Sequence, residues 1–351
     1  MLISHTYKPE NLTKMKQIYY PVLFLLFVLT LFSCNKQTGS DVTIGFLIHS
    51  TTSSRWQMDI SYVKERAAEV GAKIILKDAG GDENRQLSQA SELLEMGVDA
   101  IIVVAANQNT AAGIVRDAHE YNVPVVAYDR LIKNSELDYL VSFEYERVGE
   151  LMVEYVADNV TEGNCVILWG DASDANAVFV KNGHENVMHL LDENNINVVY
   201  KTFIQNWTYE NAYHQMNKIL DFYPEKIDAV IACNDPLGMG AYDALREHGY
   251  KPDDVIITGQ DATLEFVHSM LDGGMSMSVG KSIKELAYGA VDLVIKIVRN
   301  EETSSLDKTV NNGRIDVPAK LFSPYIIDET NFEKELIGNG VFTHDEVFVN
   351  N

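Results

Sequence analysis

The segment VTIGFLIHSTTSSRWQMD, residues 42–59, fixes the reading of the whole chain. Val42–His49 is a continuous apolar run rich in β-branched residues, the right length for one buried strand. A short Thr/Ser loop follows, then Arg55 and Trp56, then a helical pattern. A buried parallel strand that ends in a polar loop puts that loop at the carboxyl edge of a sheet, where open α/β sheets bind ligands. Arg55 offers a rigid fork of donors, and Trp56 a flat apolar face with one N–H. A small polyhydroxylated ligand uses both, so the rest of the chain is expected to complete a cleft facing this pair.

The same alternation continues downstream. AKIILKDA, AIIVVA, PVVAYD and YLVSF read as strands, separated by helical stretches that Gly71 and Gly97 punctuate. This βαβ rhythm implies a parallel sheet with helices on both faces. It then repeats: NCVILWG, NVVYKTF, DAVIACN and VIITGQD are strand-like, and Tyr145–Val160 is helical. A strand MSMSVG, a helix over Ser282–Arg299 and a final strand near Phe322–Ile327 are too few for a third domain. The expected architecture is α/β, with two Rossmann-like lobes. Residues 42–143 with about 281–318 form the N-terminal lobe, and residues 144–280 with about 319–351 the C-terminal one. Three short crossings between them make a hinge that can close on a ligand.

The N-terminus reads as a targeting segment. Lys14 and Lys16 precede an apolar stretch, Tyr19–Phe32, that is too short and too abruptly ended for a good membrane span. The ending Leu31-Phe32-Ser33-Cys34 resembles a bacterial lipobox. That resemblance implies a signal over residues 1–33, cleavage before Cys34, acylation of Cys34, and a tether over residues 34–41. No acidic residues follow Cys34 directly, which favours the periplasmic side. The chain carries a net charge of −23; residues 1–33 stand at +2 and the remainder at −25. So acidic a surface repels phosphate backbones and argues against nucleic acid as a partner. If the strands of Cys165 and Cys233 are parallel neighbours, the two thiols lie at opposite ends, roughly 15 Å apart and beyond disulfide reach. Both are expected to be buried and free.

The strand ends supply the candidate site. Asp129-Arg130 follows PVVAY, Asp174-Ala175-Asn176 follows VILWG, Trp207 follows VVYKTFIQN, Asn234-Asp235 follows AVIAC, Gln260-Asp261 follows VIITG, and Lys281 follows MSMSVG. Taken singly, each has a structural explanation; Asn234, for example, suits a helix cap before Pro236. Together they form a set for sugar chemistry. Carboxylates accept from hydroxyls, Arg, Lys and Asn donate back, and Trp faces cover C–H surfaces. Hydrogen bonds to charged groups contribute about 1.5–3 kcal/mol each. A site with two carboxylates favours a neutral polyol over an anion.

Several phrases occur in order: Arg55-Trp56-Gln57, Ala127-Tyr128-Asp129-Arg130, Asn176-Ala177, Trp207 with Glu210-Asn211-Ala212, Ile227-Asp228-Ala229-Val230, Asn234-Asp235, Thr258-Gly259-Gln260-Asp261-Ala262, and Asn311-Asn312-Gly313 before Asp316-Val317-Pro318. From about Val42 to Pro324 the chain resembles the periplasmic (type I) sugar-binding proteins of ABC importers, in particular those for D-xylose. The resemblance implies that Arg55, Trp56, Asp129, Arg130, Asn176, Trp207, Asn234, Asp261 and Lys281 hold the sugar, the two Trp by ring stacking. It implies a monomer without a cofactor that passes a monosaccharide to a membrane permease and its ATPase. One departure stands out: Met58 replaces a Lys of that family, which opens the choice of sugar. A sugar sensor docking on a membrane sensor kinase is the alternative, and an enzyme on the same scaffold a weaker one. Gly280-Lys281-Ser282 is not a phosphate loop, because Met275 stands where its first Gly belongs. No Gly-x-Ser-x-Gly elbow or calcium loop is present.

Overall fold

The computed structural model describes residues 42–303, 306 and 308–348. The expected signal, the tether and Cys34 lie outside the described residues. The first half runs β1 (Thr43–Ile48), α1 (Ser54–Glu69), β2 (Lys73–Asp78), α2 (Glu83–Glu95), β3 (Ala100–Val103), α3 (Ala112–Glu120), β4 (Val125–Tyr128) and β5 (Tyr139–Phe143). Then come α4 (Tyr145–Asn159), β6 (Gly163–Trp169), α5 (Ala175–Val187), α6 (His189–Glu193), β7 (Ile196–Phe203), α7 (Tyr209–Phe222), β8 (Ala229–Ala232), α8 (Asp235–Glu247), β9 (Ile256–Gln260), α9 (Leu264–Leu271) and β10 (Met277–Gly280). The chain ends with α10 (Ile283–Val298), β11 (Lys308–Asn311), β12 (Asp316–Phe322), β13 (Tyr325–Asp328) and α11 (His344–Phe348).

These strands form two sheets, ordered β11-β12-β5-β4-β3-β1-β2 and β13-β10-β9-β8-β6-β7. The period-two alternation of each strand loads both faces. In the first sheet Phe46, Ile102 and Tyr128 pack with Val63 of α1 and Val291 of α10. On the opposite face Leu47, Ile101 and Val103 pack with Leu93 of α2 and Ile114 of α3. In the second sheet Leu168, Val230 and Ile257 pack with Met216 of α7 and Ala241 of α8. Strands buried on both faces read as unbroken apolar runs, which is why AIIV and AVIA carry so little polar alternation. Cys165 is the third residue of β6, Cys233 lies just past β8, and both are buried and free.

Two features differ from expectation. The sheets are mixed, not wholly parallel: β11 runs antiparallel to β12, and β13 antiparallel to β10. A short turn joins β11 to β12, and a connection that brief permits only antiparallel pairing. β12 pairs parallel with β5 through Phe322, so the expected lobe boundary at 318/319 falls inside a strand, and the last crossing is Ser323-Pro324. The single strand expected near Phe322–Ile327 is the end of β12 and most of β13. Because β12 ends at the carboxyl edge of its own sheet, β13 enters the second sheet from that edge and must run against its neighbours. The other two crossings fall at Glu144 and at Lys281-Ser282.

Candidate functional site

The carboxyl edges of the two sheets face one cavity of about 550 Å³, a volume ordinary for small-molecule sites. All nine residues singled out in the sequence line it: Arg55, Trp56, Asp129, Arg130, Asn176, Trp207, Asn234, Asp261 and Lys281. Helix starts place several of them. Arg55 and Trp56 occupy the first turn of α1, and Asn176 the first turn of α5. Asn234 caps α8, its Oδ1 accepting from the Leu237 N–H at 2.9 Å. The structural and the functional explanations of Asn234 therefore coexist.

Arg55 is the centre of the polar network. Its Nε donates to Asp59 Oδ2 at 2.7 Å, its Nη1 to Asp261 Oδ1 at 3.1 Å, and its Nη2 to Asp129 Oδ2. Asp129 also accepts from the Tyr145 hydroxyl and from Asn176 Nδ2, the latter at 2.8 Å. Lys281 Nζ lies 2.9 Å from Asp261 Oδ1, and Arg130 Nε lies 2.9 Å from Asp174 Oδ2. Arg55–Asp261, Asn176–Asp129 and Arg130–Asp174 each join one lobe to the other. Three cations thus meet four carboxylates in a largely buried space, with Glu210 and Glu265 also on the cavity wall. An anionic ligand would add to a negative balance there; an uncharged one would not. Burial alone would raise the pKa of Asp129, but the Arg55 and Lys281 charges and the Tyr145 hydroxyl outweigh it and hold the group at about 2. Asp261 stays below the usual carboxylate range, since Lys281 and Arg55 overcome the effect of its burial. Its Oδ2 has no hydrogen-bond partner among the described residues, so it is available to a ligand hydroxyl.

The two indoles are held differently. Trp56 is buried in an edge-to-face contact with the His49 ring, and the Arg55 and Arg130 guanidiniums lie 4.6 and 5.6 Å from its ring centre. Trp207 is half-buried on a turn where Asn206 and Trp207 both adopt left-handed backbone, φ 60° and 56°. Its ring lies along the end of β6: a Cβ on Gly170 would come within 2.1 Å of it, so only glycine leaves room. Asp129 and Asp261 also have positive φ, 65° and 97°. Left-handed conformations cost non-glycine residues energy and concentrate at functional sites.

A model described as "Periplasmic binding protein domain" matches residues 44–302. The chain belongs to the periplasmic binding protein family. The D-xylose-binding periplasmic protein of Haemophilus influenzae is 32% identical over 93% of this chain and 98% of that protein. The Escherichia coli protein of the same name is 33% identical over 88% and 93%. Among solved structures, an ABC transporter solute-binding protein from Clostridium phytofermentans with bound β-D-glucose superposes with a TM-score of 0.81 at 28% identity, over 87% of this chain and 99% of that one.

In this periplasmic binding protein the cavity wall also includes Tyr145, Asp174, His49 and Gln260, none of which was among the nine. Asp59 backs the site from behind Arg55, fully buried and also bonded by the Tyr128 hydroxyl. The Arg55-to-Asp59 spacing of four was a legible helical ion pair. Tyr145 gave no local signal, because it opens a core helix and reaches Asp129 across the crossing. Met58 lines a neighbouring cavity of about 400 Å³, not the first one, so its difference from the family Lys falls beside the site. Among the described residues no group of His, Cys, Asp and Glu is arranged to hold a metal ion.

Proposed function

We propose that this protein captures a neutral monosaccharide, D-xylose foremost, in the interlobe cavity and delivers it to an ABC importer. The observation that carries the reading is the convergence, from both lobes, of mutually neutralised charged groups and two indoles on one cavity of monosaccharide size. The relatives named for D-xylose and the neighbour with bound glucose support the sugar class. Asp261 Oδ2 and the Asn, Arg and Lys donors serve the hydroxyls, and Trp56 and Trp207 cover the C–H faces. A ligand touching both lobes favours the closed arrangement by its extra contacts there. We assign the site no chemical step.

Titration calorimetry with D-xylose, D-ribose, D-glucose and L-arabinose tests the reading. Saturable binding of at least one, tightest for D-xylose, is expected. Binding to none of them overturns it. The Leu31–Cys34 pattern supports anchoring of the mature protein in the cell envelope through acylated Cys34; mass spectrometry of the mature N-terminus, finding an unmodified residue other than Cys34, would remove the anchor.

A further inference from the structure

Asp261 reaches the cavity from strained backbone. It and Ala262 are consecutive non-glycine residues in the left-handed region, φ 97° and 49°. Such backbone persists only where the surroundings over-determine it, so the turn between β9 and α9 has to be held. Three successive N–H groups supply the hold. The Asp261 N–H donates to the Val279 carbonyl at 3.1 Å, the Ala262 N–H to Ser278 Oγ at 2.9 Å, and the Thr263 N–H to Asp235 Oδ2 at 2.8 Å. The last two acceptors are themselves joined, the Ser278 hydroxyl donating to Asp235 Oδ1 at 2.6 Å. Both side chains are fully buried, Ser278 on β10 and Asp235 at the first position of α8. The adjacent strand leaves room for them: a Cβ on Gly259 would come within 2.3 Å of Asp235 Oδ1. Neither residue lines the cavity. Two buried polar side chains thus fasten the turn that carries Asp261 without touching the cavity themselves.

We propose that Asp235 and Ser278 are positioning residues for ligand binding: bonded to each other and to two consecutive N–H groups, they lock the Asp261–Thr263 turn and fix the Asp261 carboxylate against the sugar. The inference rests on the monosaccharide reading above. A carboxylate on a locked turn loses little freedom when a hydroxyl meets it, whereas the same group on a loose turn must first be ordered. Without the Ser278 hydroxyl the Ala262 N–H is buried and unmet, the left-handed backbone loses a restraint, and Asp261 moves with it. The lock lies wholly within the second lobe, between α8, β10 and the turn after β9. It therefore sets the Asp261 position independently of Arg55, which comes from the first lobe.

The test is calorimetry with the tightest-binding of the four sugars above, at a temperature where circular dichroism shows each variant folded. Ser278→Ala removes a single hydroxyl and is expected to weaken binding about tenfold, the effect of stranding a buried N–H. Asp235→Leu, which removes both carboxylate acceptors, should lose at least as much. Asp235→Asn, whose amide can accept from the Thr263 N–H and donate to Ser278 Oγ, should recover most of that loss. Action through Asp261 has its own signature. In an Asp261→Ala background, titrated at higher sugar concentration, Ser278→Ala should cost no more than about twofold, because the carboxylate it positions is gone. A Ser278→Ala protein that binds as tightly as the unaltered one, an Asp235→Asn protein no better than Asp235→Leu, or an equal Ser278→Ala loss with and without Asp261 overturns this inference and leaves sugar binding standing. Failure of the unaltered protein to bind any of the four sugars overturns the underlying reading.

Discussion

Asp129 and Asp261 do two things at once. Each neutralises a cation that reaches it from another element, and each sits in the cavity wall on left-handed backbone. Removing one member of a buried ion pair leaves the other uncompensated and costs about 3–5 kcal/mol. Asp129→Asn and Asp261→Ala are therefore expected to lower sugar affinity at least a hundredfold and to reduce Tm; calorimetry that finds affinity within threefold of the parent would take the residue out of the site. Asp235 behaves in the opposite way. It is fully buried, its Oδ1 accepts from the Ser278 hydroxyl at 2.6 Å and its Oδ2 from the Thr263 N–H at 2.8 Å, and among the described residues no cation pairs with it. Burial, with the Asp261 charge adding to it, pushes its pKa from 3.8 up to about 8. Between those values the folded protein keeps a proton that the unfolded chain has released, so this group's contribution to stability falls as pH rises from about 4 to about 8. Asp235→Asn should flatten that decline; Tm measured from pH 5 to 9 would show parallel curves for variant and parent if the assignment is wrong. Arg-Trp-Gln, Tyr-Asp-Arg and Gly-Gln-Asp-Ala were legible because each lies at a strand end with its chemistry in one short phrase. Tyr145 was not, since it meets Asp129 only through what the other elements bring to it.

The loop after β7 shows how an element places a side chain. Two consecutive left-handed residues turn the chain at Asn206-Trp207, the Asn206 N–H donates to Asp171 Oδ2 at 2.6 Å, and the indole settles over Gly170. Gly170→Ala would put a methyl into that ring and displace it. We expect a tenfold or greater loss of sugar affinity with a Tm change of only a few degrees, because the glycine, though buried, lies just past the end of β6 and outside its hydrogen-bonded ladder. Retained affinity would mean that the Trp207 ring does not need this seat. The strands were legible from their apolar runs, and the start of α8 from Asn234, whose side chain accepts from the N–H three residues on. The β11–β12 hairpin was not. β12 owes its place to pairing with Leu140–Phe143, far back in the chain, and no local pattern reports a partner so distant.

The molecule as a whole is two sheets stitched three times. Ties between lobes at Arg55–Asp261, Asn176–Asp129 and Arg130–Asp174 hold the cavity walls at their present separation, and a sugar bridging the lobes adds to them. Ligand that binds only the folded form stabilises it by about 2.7 kcal/mol at a hundred times its Kd, so Tm should climb with D-xylose concentration and remain unmoved by a sugar that calorimetry finds not to bind. A Tm indifferent to a sugar that does bind would place that sugar on the unfolded chain equally well.

The order of strands in the first sheet also governs when that sheet can be finished. β5 waits for β12 as its outer neighbour, and β12 ends at Phe322 of a 351-residue chain. On the ribosome, most of the polypeptide has been made before the first lobe acquires its missing strand. Until then the nascent chain carries an unsatisfied sheet edge, attractive to chaperones and to aggregation alike. Late completion keeps the first lobe short of its native sheet through most of synthesis.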